Sequence, residues 1–170
     1  MAIVESMLIA SWLAGAAAPA EPAAAPPAAA AFERFKSLAG TWRGKSTRGW
    51  EDEVSIATIA GGSAVRHTSF EAHPGEQMET LVHLDGDRLL LTHYCVAKNQ
   101  PRLVATGFAE DGRVVTFEFL DGTGMASRDV GHMDKVVVRF ADADHWSSRW
   151  TWYANGQERW LEEIHYQRQR

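Results

Sequence analysis

The stretch Met78-Glu79-Thr80-Leu81-Val82-His83-Leu84-Asp85-Gly86-Asp87-Arg88-Leu89-Leu90-Leu91-Thr92-His93-Tyr94-Cys95 decides the fold. Two runs rich in aliphatic and β-branched residues flank Asp85-Gly86, a pair that tolerates the positive φ of a tight hairpin turn. With Asp85 and Gly86 as the loop residues, Leu84 pairs with Asp87 and Val82 with Leu89. One face then carries Met78, Thr80, Val82, Leu84, Leu89, Leu91, His93 and Cys95. The other carries Glu79, Leu81, His83, Asp85, Arg88, Leu90, Thr92 and Tyr94. The first face has no acid and is mostly apolar, so it is placed inward; a longer or bulged loop would slip the pairing.

The same punctuation recurs along the chain. Asp111-Gly112, Asp121-Gly122 and Asn155-Gly156 interrupt further runs of Val, Thr, Phe, Trp, Tyr and Leu, with weaker turns at Gly61-Gly62, His73-Pro74-Gly75 and Asp142-Ala143-Asp144. The strands fall at 41–47, 50–60, 64–72, 77–84, 88–96, 102–109, 113–120, 132–140, 145–154 and 157–167. A single helical turn is expected at 32–38. Ten sequential strands joined by hairpins form an antiparallel meander, and closing it into an up-and-down barrel removes both exposed edges. A barrel of about ten strands is wider than side chains ordinarily fill, so an all-β fold with an internal cavity is expected. At Asp111-Gly112 the pairing groups Val104, Thr106 and Phe108 with Val115, Phe117 and Phe119. At Asn155-Gly156 both faces mix aromatic and polar residues, and the inward face stays open.

Residues 1–31 hold four of the six prolines and no Lys, Arg or His. Residues 1–18 read as a signal peptide, with an apolar run from Met7 to Ala16 and small residues beyond it, though without a basic start. Residues 19–31 read as an Ala/Pro-rich tether, and 32–170 as the barrel. This order places the protein in the periplasm or outside the cell, or in the cytoplasm if the segment is not a signal. After residue 31 all 17 basic residues remain against 20 acidic ones, because Glu5 and Glu21 lie before it. That balance gives no basic footprint for nucleic acid. No later apolar run approaches the roughly 20 residues of a membrane-spanning helix, so no integral membrane contact is expected. One cysteine excludes an intrachain disulfide. Oligomeric state is open.

His93 and Cys95 stand two residues apart on the inward face. The imidazole can orient a polar ligand group or move a proton; the thiol is a nucleophile only if a cation lowers its pKa. A buried cysteine is more often a small hydrophobe. Asn99-Gln100-Pro101-Arg102 falls in a mouth loop, where Asn99 and Arg102 can clamp a polar group or simply form a turn. His67, His83 and His93 lie on successive strands, as a zinc site would need, but His83 and His93 take opposite faces, so no metal is expected. The motifs of common enzyme classes, such as a nucleophile elbow, a P-loop or a dinucleotide fingerprint, do not occur.

Leu38-Ala39-Gly40-Thr41-Trp42-Arg43-Gly44 resembles the opening phrase of the calycin superfamily, closest to bacterial lipocalin-like domains of unknown function. The alternating Ile164, Tyr166 and Arg168 resemble the closing strand of those domains. The resemblance implies a barrel for a small apolar molecule, with Gly40, Trp42 and Arg168 as structural residues and Trp42 at the closed end. Nitrobindin-like haem barrels are more distantly similar; they place a haem-ligating histidine on the last strand, where His165 stands here.

The leading expectation is therefore a non-catalytic barrel binding a small hydrophobic or amphipathic ligand, without a cofactor. Thr80, Val82, Leu89, Leu91, Phe108 and Phe117 would form the walls beside Cys95, and His93 with Asn99 or Arg102 would set orientation. The alternatives are a haem barrel using His165 or His93, or an enzyme built on His93 and Cys95.

Overall fold

The computed structural model describes residues 27–73 and 75–170. It contains one helix, α1 (Pro27–Ser37), and ten strands: β1 (Gly40–Ser46), β2 (Glu51–Ile59), β3 (Ala64–Ser69), β4 (Met78–Asp85), β5 (Arg88–Tyr94), β6 (Gln100–Ala109), β7 (Val114–Thr123), β8 (His132–Phe140), β9 (His145–Ala154) and β10 (Gln157–Arg168). Each strand pairs antiparallel with its sequence neighbour, and β1 pairs with β10, so the meander closes into a barrel. Among the described residues no helix is long and apolar enough to cross a membrane.

The helix is longer than its sequence signal. It starts at Pro27, so residues 27–31 belong to it and not to a tether. Proline fits the first helical turn because its missing N–H would be unpaired there anyway. Ala28, Ala31, Phe32 and Phe35 recur at three- and four-residue spacing and are buried as one stripe. The signal-peptide reading of 1–18, and the tether before Pro27, lie outside the described residues.

That stripe plugs one end of the barrel. Phe35 meets the rings of Phe117 and Phe140 edge-on at 5.9 and 5.1 Å. Trp42 is fully buried, and its indole N–H donates to the carbonyl of Leu38, just past the helix, at 2.7 Å. The Arg168 guanidinium lies 4.1 Å over the Trp42 ring and donates to the carbonyls of Ser37, Ala39 and Ala143. Gly40 sits opposite: a Cβ there would stand 2.9 Å from Arg168 Nη1, at a φ of +134°. Gly40, Trp42 and Arg168 thus fasten helix, first strand and last strand at the closed end.

The first hairpin departs from its sequence reading in register but not in face. Asp85 pairs with Arg88, Leu84 with Leu89 and Val82 with Leu91, so Gly86 and Asp87 are the loop residues. Shifting the loop by one residue moves each partner by two positions, and alternation survives. Thr80, Val82, Leu89, Leu91 and His93 are accordingly buried together. In β6 a bulge between Ala105 and Gly107 flips the parity. Leu103 is buried with Val115 and Phe117, whereas Val104 is only partly buried and Thr106 is exposed. Phe108, beyond the bulge, packs against the core opposite Val115.

The opposite end is formed by the loops at 47–50, 70–73 with 75–77, 95–99, 124–131 and 155–156. Two of them lock together: Asn99 is buried and its amide donates to the Gly131 carbonyl at 2.8 Å. Gly124 has a φ of +72°, and a Cβ there would stand 2.8 Å from the Lys98 carbonyl oxygen. Gly124→Ala is therefore expected to cost about 1–3 kcal/mol. The check is a lower urea midpoint at unchanged slope.

Candidate functional site

Three strands carry a polar row into the apolar interior. His67 of β3 pairs with Thr80 of β4, which pairs with His93 of β5. Thr80 Oγ1 and His93 Nδ1 share a hydrogen bond of 2.9 Å. Across the barrel stand Trp146, Ser148 and Trp150 of β9 and Tyr166 of β10. The Trp150 N–H donates to Ser148 Oγ at 3.0 Å, and Ser148 Oγ and the Tyr166 hydroxyl share a contact of 3.3 Å. Trp146 and Tyr166 stack at 3.8 Å, and His67 meets both rings edge-on at 5.7 and 5.9 Å. His93 faces Trp150 at 5.2 Å.

Two adjoining spaces lie on this row. The inner one reaches to Phe35 and Leu38 and leaves about 30 Å³ to the centre of a water-sized molecule. The outer one, toward Trp50 and Phe70, leaves about 40 Å³. Both are lined by His67, Thr80 and Trp150. At roughly 10–15 Å³ of such volume per water, they admit together a molecule of about six non-hydrogen atoms without moving a side chain.

Within this apolar enclosure three buried nitrogens have no hydrogen-bond partner: His67 Nε2, His93 Nε2 and Trp146 Nε1. A buried polar atom left unpaired costs about 1–3 kcal/mol, so native interiors keep few of them; Asn99 Oδ1, among the loops of the opposite end, is another here. His67 lines both spaces, Trp146 the inner one and His93 the outer one. Burial lowers the pKa of both histidines to about 4, helped at His93 by the nearby His67. Both imidazoles are therefore neutral at pH 7. Burial also pushes the Tyr166 phenol well above its ordinary value, so this ring too is uncharged.

The outer space opens past a strained residue. Phe70 holds a φ of +56°, which is costly for a bulky side chain. Its N–H donates to Asp52 Oδ2 at 2.7 Å, and its ring lies 4.9 Å from that of Trp50. The buried Asp52 carboxylate thus pins the aromatic rim in place.

Other expected site residues fall elsewhere. Val82 and Leu91 line the inner space. Phe117 fills the closed end instead, against Phe35. Asn99 braces two loops, and Arg102 points outward into a two-pronged pair with Asp121, so neither clamps a ligand inside. Cys95 lies just past β5, with its N–H on the Asn99 carbonyl. Burial pushes its thiol pKa up, the opposite of what an activated nucleophile needs. His83 takes the outward parity, so the three histidines considered for zinc do not meet. The described residues hold no group of three or more metal-ligating side chains.

A haem does not fit these residues. The His165 side chain is 64% exposed and lies beside Glu163 on the outer surface. The two interior spaces, at about 30 and 40 Å³ to the centre of a water-sized molecule, are far smaller than a macrocycle.

His67, Trp146, Tyr166 and Glu162 were not assigned to a site by the sequence. A bulge between Trp160 and Glu162 explains the last two, since it reverses the parity of β10 and brings Glu162, Ile164 and Tyr166 to the face of Trp146, Ser148 and Trp150. No family model matches this chain, and no curated protein matches it.

Proposed function

We propose that this barrel is a calycin-like binding protein for a small, largely apolar molecule carrying a polar group. The observation that carries the reading is the set of three unpartnered nitrogens along the two adjoining spaces. Aliphatic walls from Val65, Val82, Leu91, Val136 and Val138 favour a hydrocarbon body. The neutral imidazoles offer a polar group hydrogen-bond partners without a charge to balance. The helix-plugged end with Trp42 beneath it supports the calycin-like reading.

His67→Phe separates a binding role from a structural one. Phenylalanine keeps the aromatic contacts with Trp146 and Tyr166 and removes a buried unpaired nitrogen. The variant is expected to be more stable than wild type by about 1 kcal/mol. Its affinity for isoamyl alcohol, read from the fluorescence of Trp146 and Trp150, is expected to fall by about tenfold. A variant that is destabilised and still binds the alcohol as wild type does would assign His67 to the core and sink the reading.

A further inference from the structure

We infer that the ligand of this cavity is an amine, bound as its ammonium ion at the outer space with its hydrocarbon body directed inward. This rests on the binding function proposed above and names the polar group that the cavity selects.

The first ground is Glu162. The residue is partly buried, lines the outer space, and accepts a hydrogen bond from the Ser46 hydroxyl. No Lys or Arg among the described residues forms an ion pair with it. A carboxylate drawn into an aromatic-lined space without a cation is an uncompensated charge. Asp52, close behind, is spent on the Phe70 N–H and also lacks a cation partner. The local field is therefore negative.

The second ground is the wall itself. Trp50, Phe70, Trp150 and Tyr166 line the same space, Tyr166 with one face covered by Trp146. Ring faces carry partial negative charge and attract a desolvated cation. The third is the histidine row. When His93 donates through Nδ1 to Thr80 Oγ1, its unpartnered Nε2 is an acceptor, and a neutral imidazole repels no cation. An ammonium has three N–H donors and no acceptor. Glu162, His93 Nε2 and the ring faces offer acceptors to match. A carboxylate or phosphate ligand would meet the Glu162 carboxylate, since no Lys or Arg lines the outer space and Arg48 donates to the adjacent Leu161 carbonyl instead.

Isoamylamine and isoamyl alcohol have the same shape and about the six non-hydrogen atoms the cavity admits, so the pair isolates the charge. Titrating the full chain with each at pH 7 should show the amine binding about tenfold or more tightly, the span of one charge-assisted hydrogen bond. In Glu162→Gln, which keeps an oxygen for Ser46, the amine should lose that advantage while the alcohol changes little. Equal wild-type affinity for both compounds overturns the amine assignment and leaves the binding function standing. Binding of neither overturns the binding function and the inference with it. An amine preference that survives intact in Glu162→Gln overturns the role given to Glu162, and with it the inference.

Discussion

Trp42→Ala is expected to unfold this protein roughly 10 °C or more below the wild type. A buried tryptophan truncated to alanine costs about 3–5 kcal/mol through lost burial and the cavity left behind. A domain of this size loses about 2–4 °C of melting temperature per kcal/mol. Here three further contacts go with the ring. The Leu38 carbonyl loses its 2.7 Å donor, the Arg168 guanidinium loses the face it covers, and Trp146 loses an edge-on partner at 6.1 Å. Because Leu38 follows α1 directly, the plug loosens as well. Trp42→Phe separates these effects: it keeps a ring under Arg168 and leaves the Leu38 carbonyl unpaired, so about 1–3 kcal/mol is expected. Thermal melts followed by circular dichroism check both. An alanine variant melting within about 2 °C of wild type, less than one kcal/mol, would show that the closed end is not fastened through Trp42.

Acid should destabilise the barrel before its carboxylates titrate. In the unfolded chain His67 and His93 take up protons near pH 6.5; in the folded barrel they resist until about pH 4, chiefly because burial penalises the charged ring. Between those values the unfolded state binds more protons, so stability falls as the pH falls. Above pH 7 both forms are neutral and this contribution is constant. Each pKa unit of depression is worth about 1.4 kcal/mol, so the two rings together cost several kcal/mol by pH 4. Glu51 and Glu110, whose pKa values are lowered first of all by hydrogen bonds from Arg43 and Arg139, are lost only below the ordinary carboxylate value of 4.5. The window between about pH 4.5 and 6.5 therefore belongs to the histidines. Urea midpoints across that window should drop steeply in wild type and less in His67→Phe. A flat profile would mean that the two rings are hydrated or paired in the folded state.

Much of the barrel was legible because hairpin turns and period-two alternation are local signals. Even the misplaced loop at Asp85-Gly86 kept His93 on the correct face, since the error moved partners by two. The site was less legible because bulges are not local in this sense. One at Thr106 turned Leu103 inward in place of Val104, and one near Leu161 hid the alliance of Tyr166 with Trp146. His67 was visible only as a possible metal ligand, because its meaning depends on Thr80 and His93 beside it in space. The outward turns of Arg102 and His165 follow from strand parity and from charged partners, Asp121 and Glu163, on the outer surface. The helix reached back to Pro27 because a run of alanines reads as weakly ordered until a barrel end is there to bury Ala28 and Ala31.

The central claim is that a small molecule completes the hydrogen bonds of His67 and His93 inside the barrel. It is tested most directly by nuclear magnetic resonance of the protein labelled with ¹⁵N at histidine, titrated with isoamylamine. The Nε2 resonances of His67 and His93 are expected to move together and saturably, while exposed His145 and His165 stay fixed. Fixed His67 and His93 resonances through saturating amine, or a drift shared by every histidine, would contradict it.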